Sequence, residues 1–247
     1  MGVIKPFVLT AIFLPPLLSA CQDYPQTSTP CTALSVPFAH TVCTFQPAPK
    51  NTKLYWQDPT GEPFYKFDKL IQHTGELSFA MNAGMYDDNF APIGYTVIDG
   101  TTIKKLNLND GQGNFHLLPN GVFWWNDDGF YVDESHAFAT KLSQGTRPKY
   151  ATQSGPMLVI QGQIHPKFDP KSTSTKIRNG VGVDCTDGQI YFVISDEPVN
   201  FYGFADVFKG FGCQNALFLD GGVASALYAK KYRHDKLNMA VMTAITD

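Results

Sequence analysis

Two late segments carry the residue types that catalysis most often needs. Asp220-Gly221-Gly222 closes the apolar run Ala216–Leu219, and Arg178-Asn179-Gly180 opens the run Val181-Gly182-Val183-Asp184. A carboxylate at the end of a buried strand can act as acid, base or nucleophile, and two glycines beside it let a ligand approach the backbone closely. The same Asp-Gly-Gly is also ordinary turn chemistry with an Asx cap. Earlier turns repeat the theme. Asn82-Ala83-Gly84-Met85-Tyr86 follows the apolar run Leu77–Met81; Gly113-Asn114-Phe115, Pro119-Asn120-Gly121 and Gln153-Ser154-Gly155-Pro156 come later. Amides and hydroxyls at strand ends suit the hydroxyls of a ligand or the orientation of a carboxylate.

Several other chemistries lack their residues. The glycine-rich stretch Gly111–His116 has no Lys-Ser/Thr after it and no G-x-G-x-x-G opens a helix there, so a nucleotide cradle is unsupported. The six His show no H-E-x-x-H spacing, and no C-x-x-C pair marks a zinc site. Ser154 with His40 faintly resembles a serine-protease pair, but the Gly-Asp-Ser-Gly-Gly context is missing. With 19 basic against 22 acidic residues the net charge is −3, which gives no basic footprint and speaks against a nucleic-acid partner.

These turns must be positioned by strands. In 247 residues, 43% hydrophobic and 17% charged, there is enough apolar material for one sizeable core. Runs of four to six residues bounded by Asn, Asp and Gly predict hairpins at Tyr95–Ile98, Val122–Val132, Met157–Ile160 and Val181–Ile194, with a last strand near Met239–Ala244. Helical spacing appears at Phe64, Phe67, Leu70 and Ile71, and again at Phe201, Phe204, Ala205, Phe208 and Phe211. The second helix lies between two strands and predicts a βαβ-like unit. The fold class is therefore α+β, a single mixed, strand-rich domain with a few amphipathic helices.

The N-terminus sets the address. Residues 1–20 look like a signal peptide: Lys5 precedes the apolar run Pro6 to Leu18, too short and Pro-rich to span a bilayer. Leu18-Ser19-Ala20-Cys21 resembles the lipobox of bacterial lipoproteins, which makes Cys21 the lipidation site, residues 21–30 a lipidated tether and 31–247 the folded domain. Gln22, where inner-membrane lipoproteins tend to carry Asp, points to a cell-envelope lipoprotein of the outer membrane facing the periplasm, its membrane partner reached through the lipid anchor. Assigning Cys21 to lipid leaves four of five cysteines, an even count that suits an oxidising compartment. Of three connectivities, Cys31–Cys43 and Cys185–Cys213 are the expected pairs, one closing an N-terminal hairpin, the other tying a strand end to the turn after a helix.

Taken in order from Phe79 to Tyr228, the turns resemble the phosphodiester glycosidase family, in its bacterial lipoprotein-like branch. The resemblance rests on Asn82-Ala83-Gly84-Met85-Tyr86, Pro92-x-Gly94, Gly113-Asn114-Phe115, Pro119-Asn120-Gly121, Gln153-Ser154-Gly155-Pro156, Arg178-Asn179-Gly180-Val181-Gly182-Val183 and Leu219-Asp220-Gly221-Gly222. Where the commoner family pattern is Asp-Gly-Gly-Gly-Ser-Ser, this chain has Asp220-Gly221-Gly222-Val223-Ala224-Ser225. The resemblance implies a hydrolase that cleaves a sugar-1-phosphate diester at the anomeric carbon, its partner a glycosyl phosphodiester or envelope glycan. Asp220 is then the carboxylate nucleophile or base, and Arg178 holds the departing phosphate. Asn82, Asn114, Asn120, Gln153, Ser154, Gly155, Gly221 and Gly222 bind substrate. Asp184, Asp196 or Glu197 supplies any second carboxylate. The sequence requires no cofactor; a divalent metal at Asp220, serving attack at phosphorus, is the rival arrangement. The other alternative is a catalytically inactive carbohydrate-binding or envelope-assembly lipoprotein, with Trp124 and Trp125 suited to stacking on sugars.

Overall fold

The computed structural model describes residues 1–2, 30–220 and 224–246. The expected signal peptide falls almost wholly outside the described residues, as do Cys21, nearly all of the tether, Gly221 and Gly222. The chain opens with β1 (Cys31–Leu34), β2 (His40–Phe45), β3 (Thr52–Tyr55), α1 (Phe67–Thr74), β4 (Leu77–Asn82), β5 (Thr96–Ile98) and β6 (Thr101–Lys104). Its middle holds β7 (Gly121–Asn126), β8 (Gly129–Glu134), α2 (Ser135–Ser143), β9 (Tyr150–Ser154), β10 (Met157–Ile160) and β11 (Gln163–Ile164). There follow β12 (Asn179–Val183), β13 (Ile190–Ser195), α3 (Phe201–Gly210), β14 (Asn215–Phe218), β15 (Leu227–Ala229), β16 (Arg233–His234) and β17 (Met242–Thr246).

The strands form three antiparallel sheets, ordered β1-β2-β13-β12-β14-β10-β11, β16-β15-β4-β17-β3 and β6-β5-β9-β7-β8. Together with the three α-helices among the described residues this is a strand-rich α+β domain, as expected. Period-two patterning explains the faces. In β12, Val181 and Val183 enter a core shared with Phe79, Phe123, Trp125, Phe192 and Leu217. Gly180 and Gly182 face the other way, beneath α3. A Cβ on Gly182 would come within 2.7 Å of the Phe208 ring and 2.8 Å of the Cys213 sulfur, so glycine lets the helix sit close. Phe204 and Phe208 are fully buried there, each contributing about 1.5–3 kcal/mol.

The βαβ-like unit exists with one addition. β13 and β14 both pair antiparallel with β12, so they run parallel to each other across it, with α3 as their crossover. Both expected disulfides are present, Cys31–Cys43 across β1 and β2 and Cys185–Cys213 from the end of β12 to the turn after α3. They fit an oxidising compartment outside the cytoplasm. Among the described residues no helix is long and apolar enough to cross a membrane.

One helix was not expected. α2 buries only Ser135 and Phe138, so it has no apolar stripe to detect; it is set instead by Glu134, whose carboxylate caps the His136 and Ala137 N–H groups. The aromatic pair expected to offer a sugar-stacking face is mostly core. Trp125 is fully buried with its indole N–H on the Thr52 carbonyl, and Trp124 is 5% exposed, stacked on Tyr131.

Candidate active site

The candidate site lies where strand ends from all three sheets meet. β4 delivers Asn82 and then the turn Ala83–Met85. β14 runs on through Leu219 to Asp220, whose N–H donates to the Ala83 carbonyl at 2.8 Å. β9 arrives alongside: the Gly84 N–H donates to Thr152 Oγ1 at 2.9 Å, and the Phe218 N–H to the Pro156 carbonyl at 3.1 Å. Gly84 has no room for a side chain, since a Cβ would stand 2.3 Å from Thr152 Oγ1 and 2.7 Å from the Gln153 carbonyl. That close approach is what joins β4 to β9.

An amide pair fastens the centre. Asn179 Nδ2 donates to Asn82 Oδ1 at 3.0 Å and to the Asn82 carbonyl at 3.1 Å, while Asn82 Nδ2 donates to the Asp220 carbonyl. Asn82 Oδ1 also accepts the Ala226 N–H at 2.8 Å. One buried side chain therefore grips both ends of the segment 220–226, which contains the glycine pair. Ser225 supports the same point through the Ile177 carbonyl at 3.1 Å. Asn82 thus acts on the carboxylate through the backbone, as a positioning residue. Asn179 was missed as a site residue although its motif was noticed. The period-two rule could have found it, because it shares the core-facing side of β12 with Val181 and therefore faces Asn82, whereas Arg178 faces away.

Electrostatics single out Asp220. Burial pushes its carboxyl up to about 7, and no cation among the described residues offsets that. The nearby Tyr86 phenol is pushed up to about 12, by burial first and then by the Asp220 charge. Arg178 is almost fully buried; burial lowers its guanidinium to about 10, so it remains a cation at neutral pH. It lies over the Phe201 ring at 3.6 Å, with Phe218 at 5.5 Å. Nε donates to the Val199 carbonyl at 2.8 Å and Nη2 to Ser174 at 3.2 Å; Nη1 has no partner among the described residues. The Nε–Nη2 edge, one of the two that could grip phosphate bidentately, is thus occupied, and Nη1 is the nitrogen left without a bond among the described residues. Gly180 pairs with Phe218, and the Leu219 N–H donates to the Asn179 carbonyl at 3.0 Å. Carried one pair further, that register sets Arg178 and Asp220 opposite each other at the strand ends. No ion pair joins them among the described residues.

The remaining expected residues divide. Ser154 is fully buried on the face of β9 that carries Thr152, and its hydroxyl has no partner among the described residues. The Gly155 turn packs against the segment that carries Asn114 and Asn120: a Cβ there would lie 2.7 Å from Asn120 Cβ and 2.7 Å from the Phe115 carbonyl. Asn120 donates to that carbonyl at 2.9 Å and its Oδ1 has no partner among the described residues, while Asn114 is exposed. Gln153 points to the other side of β9. Its amide accepts from the Tyr95 and Asn107 N–H groups and donates to the Asn107 carbonyl and Ser135 Oγ, so it ties loops together with no capacity to spare. Asp184 stands at the far end of β12 from Arg178 and is exposed; Asp196 accepts from Thr41 and Arg233; Glu197 is exposed. Among the described residues no three His, Cys, Asp or Glu side chains cluster as a metal site.

Comparison with known proteins bears on the fold and the family. The profile of the family "Phosphodiester glycosidase" matches residues 75–246. The chain is 35% identical over 227 residues to "Uncharacterized protein YigE" of Escherichia coli K12, covering 90% of this chain and 85% of that one. In fold it is similar to the zebrafish N-acetylglucosamine-1-phosphodiester alpha-N-acetylglucosaminidase catalytic domain, auto-inhibited by its pro-peptide, with a TM-score of 0.65 at 14% identity over 88% of this chain and 81% of that one. A hypothetical protein from Synechocystis gives a TM-score of 0.60, also at 14% identity, over 87% and 61% of the two chains. The chain belongs to the phosphodiester glycosidase family.

Proposed function

We propose that this protein hydrolyses a glycosyl phosphodiester at the cell envelope by attack at the anomeric carbon. The observation that carries this reading is Asp220, a carboxyl held near 7 by burial where the ends of three sheets meet, its loop gripped by Asn82. In its ionised form Asp220 attacks the anomeric carbon, or takes a proton from the water that does. The bond from that carbon to the bridging oxygen breaks, and its electron pair leaves with the phosphate. A phosphate monoester departs without full protonation, so a cation can stand in for the acid of an ordinary glycosidase. Arg178, through Nη1, supplies that charge in this scheme. Ser154, whose buried hydroxyl at the same convergence has no partner among the described residues, holds a sugar hydroxyl or phosphate oxygen.

Hydrolysis in ¹⁸O water tests the bond that breaks. Label in the sugar hemiacetal and none in the phosphate is the expected result. Label in the phosphate instead overturns the anomeric attack and favours the metal-assisted route at phosphorus. The envelope address rests on the lipobox-like Leu18-Ser19-Ala20-Cys21 together with the two disulfides. We propose residues 1–20 as signal, 21–30 as lipidated tether and 31–247 as the catalytic domain. Mass analysis of the mature N-terminus tests this, with acylated Cys21 as the expected first residue.

A further inference from the structure

An aromatic chain leads away from Asp220. Tyr86, close enough for the Asp220 charge to act on its phenol, stacks on Phe90 with ring centroids 5.1 Å apart and planes at 15°. Phe90 and Tyr65 pack edge to face, with ring centroids 4.9 Å apart. Tyr65 borders an open groove of about 450 Å³ in front of α1, whose lining also includes Lys66, Gln72 and Asn238. The Tyr86 hydroxyl reaches the Asn238 carbonyl at 3.3 Å, a second link between groove and site.

These rings are held in unusual backbone. Tyr65 and Phe90 have φ of 58° and 56°, in the left-handed region that bulky side chains rarely enter. Such conformations persist where the surroundings over-determine them, commonly at ligand sites. Here the Met239 N–H donates to the Tyr65 carbonyl at 2.8 Å, and the Trp56 indole N–H to the Phe90 carbonyl at 2.8 Å. The groove also retains free hydrogen-bonding capacity. Lys69 is taken by Asp58 and the Pro63 carbonyl, and Asp68 by Lys236 and His234. The side-chain amides of Gln72 and Asn238 make no hydrogen bond among the described residues. An aromatic ring beside uncommitted amides, in a space of this size, suits a pyranose: its carbon-bound hydrogens pack on the ring and its hydroxyls on the amides.

We propose that this groove is a second sugar-ring subsite, joined to Asp220 through Tyr86 and Phe90, so that the substrate is a phosphodiester-linked glycan of two or more rings. The substrate class rests on the hydrolase reading; binding of a sugar ring in the groove does not. Saturation-transfer NMR tests it with N,N′-diacetylchitobiose, cellobiose and maltose against the matching monosaccharides. At least one disaccharide is expected to bind tenfold or more tightly than its monosaccharide. Tyr65→Ala and Gln72→Trp are each expected to weaken that binding at least tenfold, while Ile103→Ser on β6 leaves it unchanged. Gln72 is exposed on α1, so the tryptophan fills the groove without disturbing the core. Disaccharides that bind no better than monosaccharides, or binding that survives Gln72→Trp, overturn the subsite. Disaccharide binding that Gln72→Trp abolishes, with no phosphodiester ever turned over, upholds the subsite and sinks the hydrolase reading. Turnover of glycosyl phosphodiesters whose KM ignores Gln72→Trp sinks the subsite and leaves the hydrolase.

Discussion

The β7–β8 hairpin with α2 and the strand-end convergence at Asp220 handle buried polarity in opposite ways. At the hairpin both half-buried carboxylates find partners: Asp133 accepts from the Trp124 indole at 2.8 Å and from Lys141 at 2.7 Å, and Glu134 caps α2. At the convergence, Arg178 Nη1 and Ser154 Oγ have none among the described residues, and Asp220 is driven toward its neutral form. Buried unpaired polarity costs about 1–3 kcal/mol per group. The fold tolerates that cost at the convergence and avoids it at the hairpin, the distribution expected if a ligand completes the first region while nothing needs to complete the second.

Asp220→Asn breaks the contrast most severely. It is expected to lower kcat by about 10²–10⁴-fold on any glycosyl phosphodiester the wild type hydrolyses. The same change should stabilise the fold. The native carboxyl is raised from 3.8 to about 7, so between those values the unfolded chain sheds its proton while the native state keeps it. Stability is therefore full below about pH 4 and is lost as pH rises to about 7, a total of about 4 kcal/mol. Urea melts at pH 8 should show Asp220→Asn more stable than wild type, with the two converging near pH 4. In wild type, kcat/KM should rise to a plateau through about pH 7, because the ionised form does the chemistry. A falling limb there would make Asp220 the acid instead. Next in size is Arg178→Met, expected to cost about 10²-fold in kcat/KM, the scale of one lost charge-stabilising donor. A purely structural arginine would instead lower Tm and leave kcat near wild type.

How far the sequence revealed this site depends on the kind of interaction. Strand ends were legible because Asp99-Gly100, Gln161-Gly162 and Asp187-Gly188 are local turn signals, and the first two occupy left-handed backbone. α3 was legible from its apolar spacing. α2 was not, since its cap and not its periodicity defines it. The ordered motifs brought Asn82, Ser154 and Asp220 to attention singly. That Asn82 grips both ends of the 220–226 segment depends on partners 138 and 144 residues away, a separation no local pattern encodes. Gln153 shows the converse: a motif residue that faces away from the convergence because β9 alternates and Ser154 took the inner face.

Asn82→Ala sharpens the comparison by adding polarity without partners to the region that already carries it. The Asp220 carbonyl, the Ala226 N–H and the Asn179 amide all lose a partner, and the expected cost is about 3 kcal/mol, read from urea melts. Because the same bonds place the Asp220 loop, kcat should fall as well, by about tenfold. Unchanged kcat in the folded fraction would mean that the loop finds its place without the clasp.

The smallest effect belongs at the hairpin. Asp133→Asn keeps an acceptor for the Trp124 indole but removes the charge that holds Lys141, a lysine whose side chain is 44% exposed. Exposed ion pairs contribute about 0–1 kcal/mol, so the expected loss is under about 1 kcal/mol, greatest at low salt and fading as ionic strength rises. Activity should not change, because among the described residues no side-chain hydrogen bond runs from Asp133 to the convergence. If Asp133→Asn alters kcat as much as Asn82→Ala does, the two regions are coupled and the division between a self-satisfied scaffold and a ligand-completed site fails.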